Sequence, residues 1–141
     1  MKILHKQPWF FPIFKYFFPG LGSKSIITFG DTIYSPDTML DDVLEHEKIH
    51  IKQQKGSKIY AFFFAIVFIV SPKFRLKTEL EAFRHQYKIC PDRLDWAART
   101  LSGPGYGNIV TYEQAIALIR HDRAVHKLNH NTFFKFYKTE L

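Results

Sequence analysis

The chain has 141 residues, of which 46% are hydrophobic, and this suits one domain with a modest core. Its one cysteine, Cys90, excludes an internal disulfide and a cysteine-based metal cluster. The net charge of +7 favours contact with nucleic acid, anionic lipid or an acidic partner, although lysine-rich proteins that bind none of these are also common.

The N-terminal segment, residues 1–25, is aromatic and basic. Pro8, Pro12 and Lys15 interrupt its apolar run, and no small-residue cleavage site follows, so we expect no signal peptide. The longest apolar run, Ile59 to Val70, has 12 residues, whereas a membrane-spanning helix needs about 20. We therefore expect a cytoplasmic protein without a transmembrane helix, in which this run forms a buried helix; a membrane-dipping segment is the alternative.

The pattern in residues 26–35 predicts a β-hairpin, because two β-rich runs flank the pair Gly30-Asp31, which suits a two-residue turn with positive φ at its first position. A helix should follow over about 39–55, beginning at a capping box of Thr38 and Asp41 and stopping at Gly56.

Further helices are expected over about 58–70, 73–89, 92–101 and 111–125. Ser71-Pro72 separates the first two, and Thr111 with Gln114 forms the capping box of the last. The sequence thus predicts an α+β protein that is mostly helical, with one small antiparallel hairpin before the 39–55 helix.

That helix contains the motif HEKIH. Residues four apart are neighbours on one helical face, so His46 and His50 can reach one zinc ion. Glu47 would lie beside a zinc-activated water, where a general base is needed. On a helical wheel Leu40, Leu44 and Ile51 form an apolar stripe that includes Glu47, with both histidines beside it near Val43 and the lysines on the opposite side. A buried carboxylate needs a partner.

A zinc site needs a third protein ligand, and the segment TELEAF at 78–83 supplies candidates. Glu79 borders an apolar stripe formed by Leu76, Leu80, Phe83 and Tyr87, whereas Glu81 is turned toward solvent. Glu79 is therefore the expected ligand. Glu81 is the alternative, because an error of one residue in the helical phase would exchange the two.

HEKIH followed by E-L-E-A-F resembles the gluzincin-type metallopeptidases, in which H-E-x-x-H precedes a helix that carries E-x-x-x-D or E-x-E-A-D. The chain is also similar to short, uncharacterised metallopeptidase-like proteins encoded in phage genomes. The resemblance covers residues about 26–87. Together with the length of the chain, it predicts a single zincin-like domain over 1–141, comprising the segment 1–25, the hairpin and metal-site helices over 26–101, and a C-terminal part over 102–141.

The resemblance further implies that His46, His50 and Glu79 bind Zn²⁺, that Glu47 is the catalytic base, and that the substrate is a peptide or protein. It also implies that the hairpin's outer strand, roughly 32–35, holds an extended peptide by strand addition.

One position departs from the family pattern. Phe83 occupies the place of an aspartate that orients a ligating histidine, and loss of such a group typically lowers affinity or activity 10–100-fold. Another residue could replace it, with Asp92, Asp95 and Gln86 as candidates, or the chain is a degenerate zincin that binds zinc and a partner without hydrolysis.

The donor that would stabilise the transition-state oxyanion is left open by the sequence. The candidates are Tyr60, Tyr87, Tyr106, His85 and His126, and the loop at 102–108 could border the cleft.

Two non-catalytic hypotheses are also open. The charge and the aromatic residues interleaved with lysine are consistent with nucleic-acid binding, although no nucleic-acid motif is present. Phe10, Phe14, Phe17 and Phe18, at helical spacing beside Trp9, could lie in a membrane interface.

Overall fold

A small sheet forms the first part of the fold in the computed structural model, which describes residues 1–120. β1 (Lys2–Leu4) was not predicted; it pairs in parallel with β3 (Thr32–Tyr34). β2 (Ile27–Phe29) pairs with β3 in antiparallel fashion and forms the predicted hairpin. Gly30 has a φ of +67° at the first turn position, a conformation that glycine adopts without steric cost.

Helices make up most of the remaining described residues, which confirms the mostly helical α+β class. Short 3₁₀ turns precede the last two of them, at Pro91–Arg93 and Pro104–Tyr106. The predicted continuation of the last helix beyond Arg120 lies outside the described residues. The helices are α1 (Phe11–Phe17), α2 (Asp41–Gln53), α3 (Lys58–Val70), α4 (Pro72–Ile89), α5 (Leu94–Leu101) and α6 (Tyr112–Arg120).

The helix ends agree with the sequence signals in all but one case. Ser71 accepts a hydrogen bond from the N–H of Phe74 and Pro72 opens α4, so the predicted break separates α3 from α4. Thr111 and Gln114 form the predicted reciprocal capping box. The box predicted at the start of α2 is wrong, because Leu40 occupies the N-cap position and no side chain caps the helix there.

The apolar core lies on one side of α4, between α4, α5 and α6. α4 contributes Leu76, Leu80 and Phe83, the last of which is 1% exposed. The small residues Ala97 and Ala98 allow α5 to approach closely, because a methyl side chain adds little width to the helix. α4 also packs against α2, on a side next to the core.

Hydrogen bonds at both ends hold α2 against α4 in an antiparallel arrangement. At one end Gln86 donates to the buried Asp42 carboxylate at 2.6 Å, and Arg93 lies 3.3 Å from the same carboxylate. At the other end Gln53 donates to the Thr78 carbonyl at 3.0 Å. These contacts determine the register of the two helices, and the residues between them must face one another.

The prediction that α3 is a buried helix is wrong. Ala61 is its one buried residue, whereas Ile59, Phe63 and Val70 are 72%, 61% and 71% exposed. The helix is apolar all round but touches β2 and α4 along one side, so its other sides have no protein to pack against within residues 1–120. No single helix among residues 1–120 is long and apolar enough to cross a membrane, and α3 and α4, which pass that test together, meet at a bend of 117°.

Replacing Gln86 with Ala should lower the free energy of unfolding by about 2–3 kcal/mol, because the buried Asp42 carboxylate loses a hydrogen-bond donor and a void is left. Urea denaturation followed by circular dichroism measures the change. Lys88→Ala, at an exposed position two residues further along α4, is the control and should change the stability by less than about 0.5 kcal/mol. Equal losses in both variants would contradict the role of the Asp42–Gln86 bond.

Candidate metal centre

The antiparallel register of α2 and α4 brings His46, His50 and Glu79 together. The Nε2 atoms of the two histidines are 3.2 Å apart. His46 Nε2 lies 3.4 Å from Oε2 of Glu79, and His50 Nε2 lies 3.4 Å from Oε1 of the same carboxylate. All three residues are buried, with exposures of 4%, 7% and 3%. They form a group of nitrogen and oxygen atoms that could hold a metal ion.

The charges of this group depend on one another. Burial opposes the charge on His50, but the Glu79 carboxylate outweighs burial and raises the pKa of His50 to about 9. Burial likewise opposes the charge on Glu79, yet His50 and His46 lower the pKa of Glu79 well below its usual value. A positive charge therefore faces the Glu79 carboxylate inside the protein, at the place where a metal cation would lie.

Glu81 does not belong to this group. Its side chain is exposed and accepts a hydrogen bond at 2.9 Å from Gln53. Glu79 is thus the carboxylate of α4 that faces both imidazoles, because the helix register turns position 81 away from α2's histidines.

Gln53 orients His50, a role that was not among the predicted site residues. Its Oε1 lies 2.9 Å from Nδ1 of His50, while its Nε2 donates to the Thr78 carbonyl and to Glu81. The signal was available in the sequence, since Gln53 follows His50 by three positions on the same helix. An acceptor on Nδ1 leaves Nε2 free to bind a metal.

Phe83 packs against His46 where the metallopeptidase pattern has an aspartate. The two ring centroids are 4.4 Å apart, and Nδ1 of His46 is buried with no hydrogen-bond partner among the described residues. None of the three suggested replacements accepts a hydrogen bond from Nδ1 of His46. Asp92 is exposed, Asp95 binds Arg99 and Tyr112, and Gln86 binds Asp42.

Glu47 lies beside the group, 7% exposed, and the Thr28 hydroxyl donates to its Oε2 at 2.7 Å. Gln54 holds Thr28 in place: its amide donates to the Thr28 carbonyl at 3.1 Å and accepts from the N–H of Gly30 at 2.6 Å. The inward direction of Glu47 agrees with the sequence prediction. The predicted apolar stripe of α2 does not form, because Leu40 is 58% exposed and Val43 is buried beside the histidines instead.

The predicted peptide-binding strand is also wrong. β3 is the central strand, paired on both sides, so it has no free edge for strand addition. The outer strand on the side of α2 is β2, and Gln54 already occupies its edge at the Thr28 carbonyl and the Gly30 N–H.

A cavity of about 560 Å³ extends from the group formed by His46, His50 and Glu79. Its lining includes Glu47 and residues of β2, α1, α3 and the loop at 103–106. Tyr106, on this loop, faces the site. Burial raises the pKa of its hydroxyl well above the usual value, and the nearby carboxylates of Glu79 and Glu47 raise it further. Arg75 holds the loop, donating from Nε to the Tyr106 carbonyl at 3.1 Å.

Tyr106 is thus the one of the five donor candidates that the described structure brings to the group. Tyr60 is exposed and lies under the Lys55 ammonium, Tyr87 packs against the core, and His85 lies 3.5 Å from Glu45. His126 lies outside the described residues.

Comparison of the chain with protein-family models, with curated proteins and with solved structures finds no match. The resemblance to gluzincin-type metallopeptidases therefore stays a prediction, and it depends on the HEKIH and ELEAF motifs together with the geometry described above.

Replacing Gln53 with Ala should weaken binding of a divalent metal about 10–100-fold, because His50 loses the acceptor that orients it. Competition with a chromophoric chelator measures the affinity. Gln54→Ala is the matched control: it removes the neighbouring glutamine, which contacts β2 and neither imidazole, and should change the affinity less than about threefold. An unchanged affinity in Gln53→Ala would contradict the orienting role.

Proposed function

We propose that the protein is a zinc-dependent peptidase with a zincin-like arrangement, in which His46, His50 and Glu79 hold the ion and Glu47 is the general base. The observation that carries this proposal is the convergence of two imidazole nitrogens and a carboxylate, all buried, beside a second buried carboxylate at a cavity.

The distances support zinc. A tetrahedral site with bonds of about 2.0–2.1 Å places its ligand atoms about 3.3 Å apart. The separations here are 3.2, 3.4 and 3.4 Å. Glu79 Oε2 is buried without a hydrogen-bond partner among the described residues, and a cation would satisfy it. Two imidazoles and a carboxylate are also the protein ligands of well-known catalytic zinc sites.

A zinc ion bound there would supply Lewis acidity, polarising a substrate carbonyl and lowering the pKa of water to about 7. The remaining chemistry belongs to the protein. Glu47 takes a proton from the attacking water and then passes it to the leaving amine. The Thr28 hydroxyl fixes Oε2 of Glu47, so the carboxylate keeps one orientation during both transfers.

Tyr106 would stabilise the oxyanion. A tyrosine hydroxyl is protonated at neutral pH and can donate a hydrogen bond, and burial with the nearby Glu79 and Glu47 raises the pKa of this one further. The buried Arg75 holds this hydroxyl in position through the Tyr106 carbonyl. Arg75 is a positioning residue in this scheme, since it contacts the backbone of the loop and not the reacting atoms.

A degenerate site that binds zinc without hydrolysis is the second candidate. The observation that favours it is His46, whose Nδ1 faces no acceptor because the Phe83 ring packs against the imidazole. The two candidates share the metal and differ in turnover, so one set of variants separates them.

Protein purified without added metal should contain about one zinc per chain, because the three ligands are buried and preorganised. Glu47→Gln should keep the zinc and lose hydrolysis of a quenched fluorescent peptide library, since the amide keeps the shape of the carboxylate but cannot take a proton. Elemental analysis and the initial rate of fluorescence increase measure the two properties.

Glu79→Ala is the companion variant and should lose the zinc. Less than about 0.2 zinc per chain in the wild type, unrecovered on reconstitution, would reject the metal site. Stoichiometric zinc with no hydrolysis by the wild type would favour the degenerate candidate, and hydrolysis retained by Glu47→Gln would reject the assigned base.

Replacing Tyr106 with Phe should lower kcat about 100–1,000-fold with little change in KM, because the hydroxyl is needed once negative charge develops on the substrate oxygen. Steady-state kinetics on the best peptide from the library measures both constants. Tyr60→Phe, at an exposed position, is the control and should behave as the wild type. A change in KM alone would assign Tyr106 to substrate binding instead.

A further inference from the structure

The exposed aromatic surface of α1 and α3 is a second site of interest, separate from the metal centre. Trp9, which precedes α1, is 86% exposed, and Tyr16 of α1 is 80% exposed. α3 exposes seven large apolar side chains, which is unusual for a helix that folds into a core. These are Ile59, Tyr60, Phe62, Phe63, Ile66, Val67 and Val70.

The two helices are neighbours on this surface. The Phe18 ring, directly after α1, lies 6.0 Å from the Phe68 ring of α3, and the Arg75 guanidinium lies over both rings. The α1 region and α3 therefore adjoin, and we call their exposed large apolar residues together the aromatic face: Trp9, Ile13, Tyr16 and Phe17 from the α1 region, and the seven exposed α3 residues.

Charge is segregated along the chain, in the two stretches of sequence that carry the aromatic face. Residues 1–30 contain four lysines and residues 48–78 contain six lysines and one arginine, and neither stretch contains an aspartate or a glutamate. All thirteen acidic residues of the chain lie elsewhere. The two stretches that carry the exposed aromatic residues are therefore purely basic. Lys55 and Lys58 are exposed at the start of α3, and Lys77 is exposed beyond its end.

We propose that the aromatic face docks on an anionic lipid surface, with α1 and α3 lying in the interface and the flanking lysines on the lipid headgroups. Thirteen helical residues are about 20 Å long, shorter than the roughly 30 Å of a hydrocarbon core, so α3 lies along the surface. Aromatic and aliphatic side chains bordered by lysine are the composition of interfacial helices, and the basic stretches supply the attraction to anionic headgroups.

This orientation has a consequence for the metal centre. Phe14 and Phe18, from α1 and the residue after it, line the same cavity as Phe64 and Phe68 of α3, and that cavity reaches Glu47. A docked protein would therefore present the cavity to a polypeptide at the membrane surface. This consequence for the cavity rests on the proposed peptidase function, whereas lipid binding itself does not.

The test is flotation of the purified full-length protein with vesicles of phosphatidylglycerol and phosphatidylcholine, compared with vesicles of phosphatidylcholine alone. The protein should float with the anionic vesicles and should be released by high salt, because the flanking lysines are attracted through a screened potential. In a Trp96→Phe variant, Trp9 is the one remaining tryptophan, and its emission should shift to the blue on binding.

The double variant Phe62→Ser with Phe63→Ser should bind the anionic vesicles at least about tenfold more weakly, because it loses two exposed rings. Ile89→Ser, at an exposed apolar position on α4 outside the aromatic face, is the matched control and should bind as the wild type. Circular dichroism of both variants checks that they remain folded. Glu47→Gln should bind equally well, so this result is independent of any failure of the peptidase proposal.

Other occupants of the aromatic face give different results. Absence of flotation together with a dimer in analytical ultracentrifugation, dissociated by the Phe62→Ser and Phe63→Ser variant, would overturn the proposal in favour of a second copy of the chain. A monomer that binds neither vesicle type would overturn it as well, as would equal binding by the double variant and the wild type.

Discussion

The register of α2 against α4 is the constraint on which the candidate site depends. Asp42 with Gln86 at one end, and Gln53 with the Thr78 carbonyl at the other, hold two antiparallel helices at one relative position. A shift of one residue along either helix would separate the imidazoles from Glu79. The buried polar contacts are costly unless they are satisfied, so they penalise every other register.

The same contacts link stability to chemistry. Gln53 holds α4 through the Thr78 carbonyl and orients His50 through Oε1, so one side chain serves both purposes. Phe83 likewise belongs to the core and packs on the His46 ring. A buried group of two imidazoles and a carboxylate would be unfavourable in an apolar core alone, and here the charges of Glu79 and His50 offset one another.

The two halves of the molecule have different physical characters. The side of α4 that faces α5 and α6 builds an ordinary apolar core, whereas α3 leaves most of its apolar side chains exposed. The cavity lies between the group of His46, His50 and Glu79 and this exposed helix. Under the two proposals, a site buried on one side and bordered by an apolar, basic surface on the other would act on a substrate that is itself held at a surface.

The sequence by itself determined the approximate extent of helices α2 to α5, the hairpin turn at Gly30 and the pairing of His46 with His50 on one face, because these depend on local backbone preferences and on helical periodicity. Tertiary structure decided which residues from other elements support the site. Thr28 and Tyr106 come from a strand and a loop, and no local pattern links them to the histidines of α2, whereas Gln53 follows His50 by three positions on the same helix.

Tertiary structure also determined the exposure of α3 and the position of β3 in the sheet. A run of 12 apolar residues looks the same in a sequence whether its neighbours cover it or not, so burial was predicted where exposure is found. β3 is the central strand because β1 pairs with its second edge. β1 has three residues, which are too few to show the alternating hydrophobic pattern that predicts a strand. Local rules determined which elements form, whereas long-range packing determined which of their faces are covered and which polar groups meet.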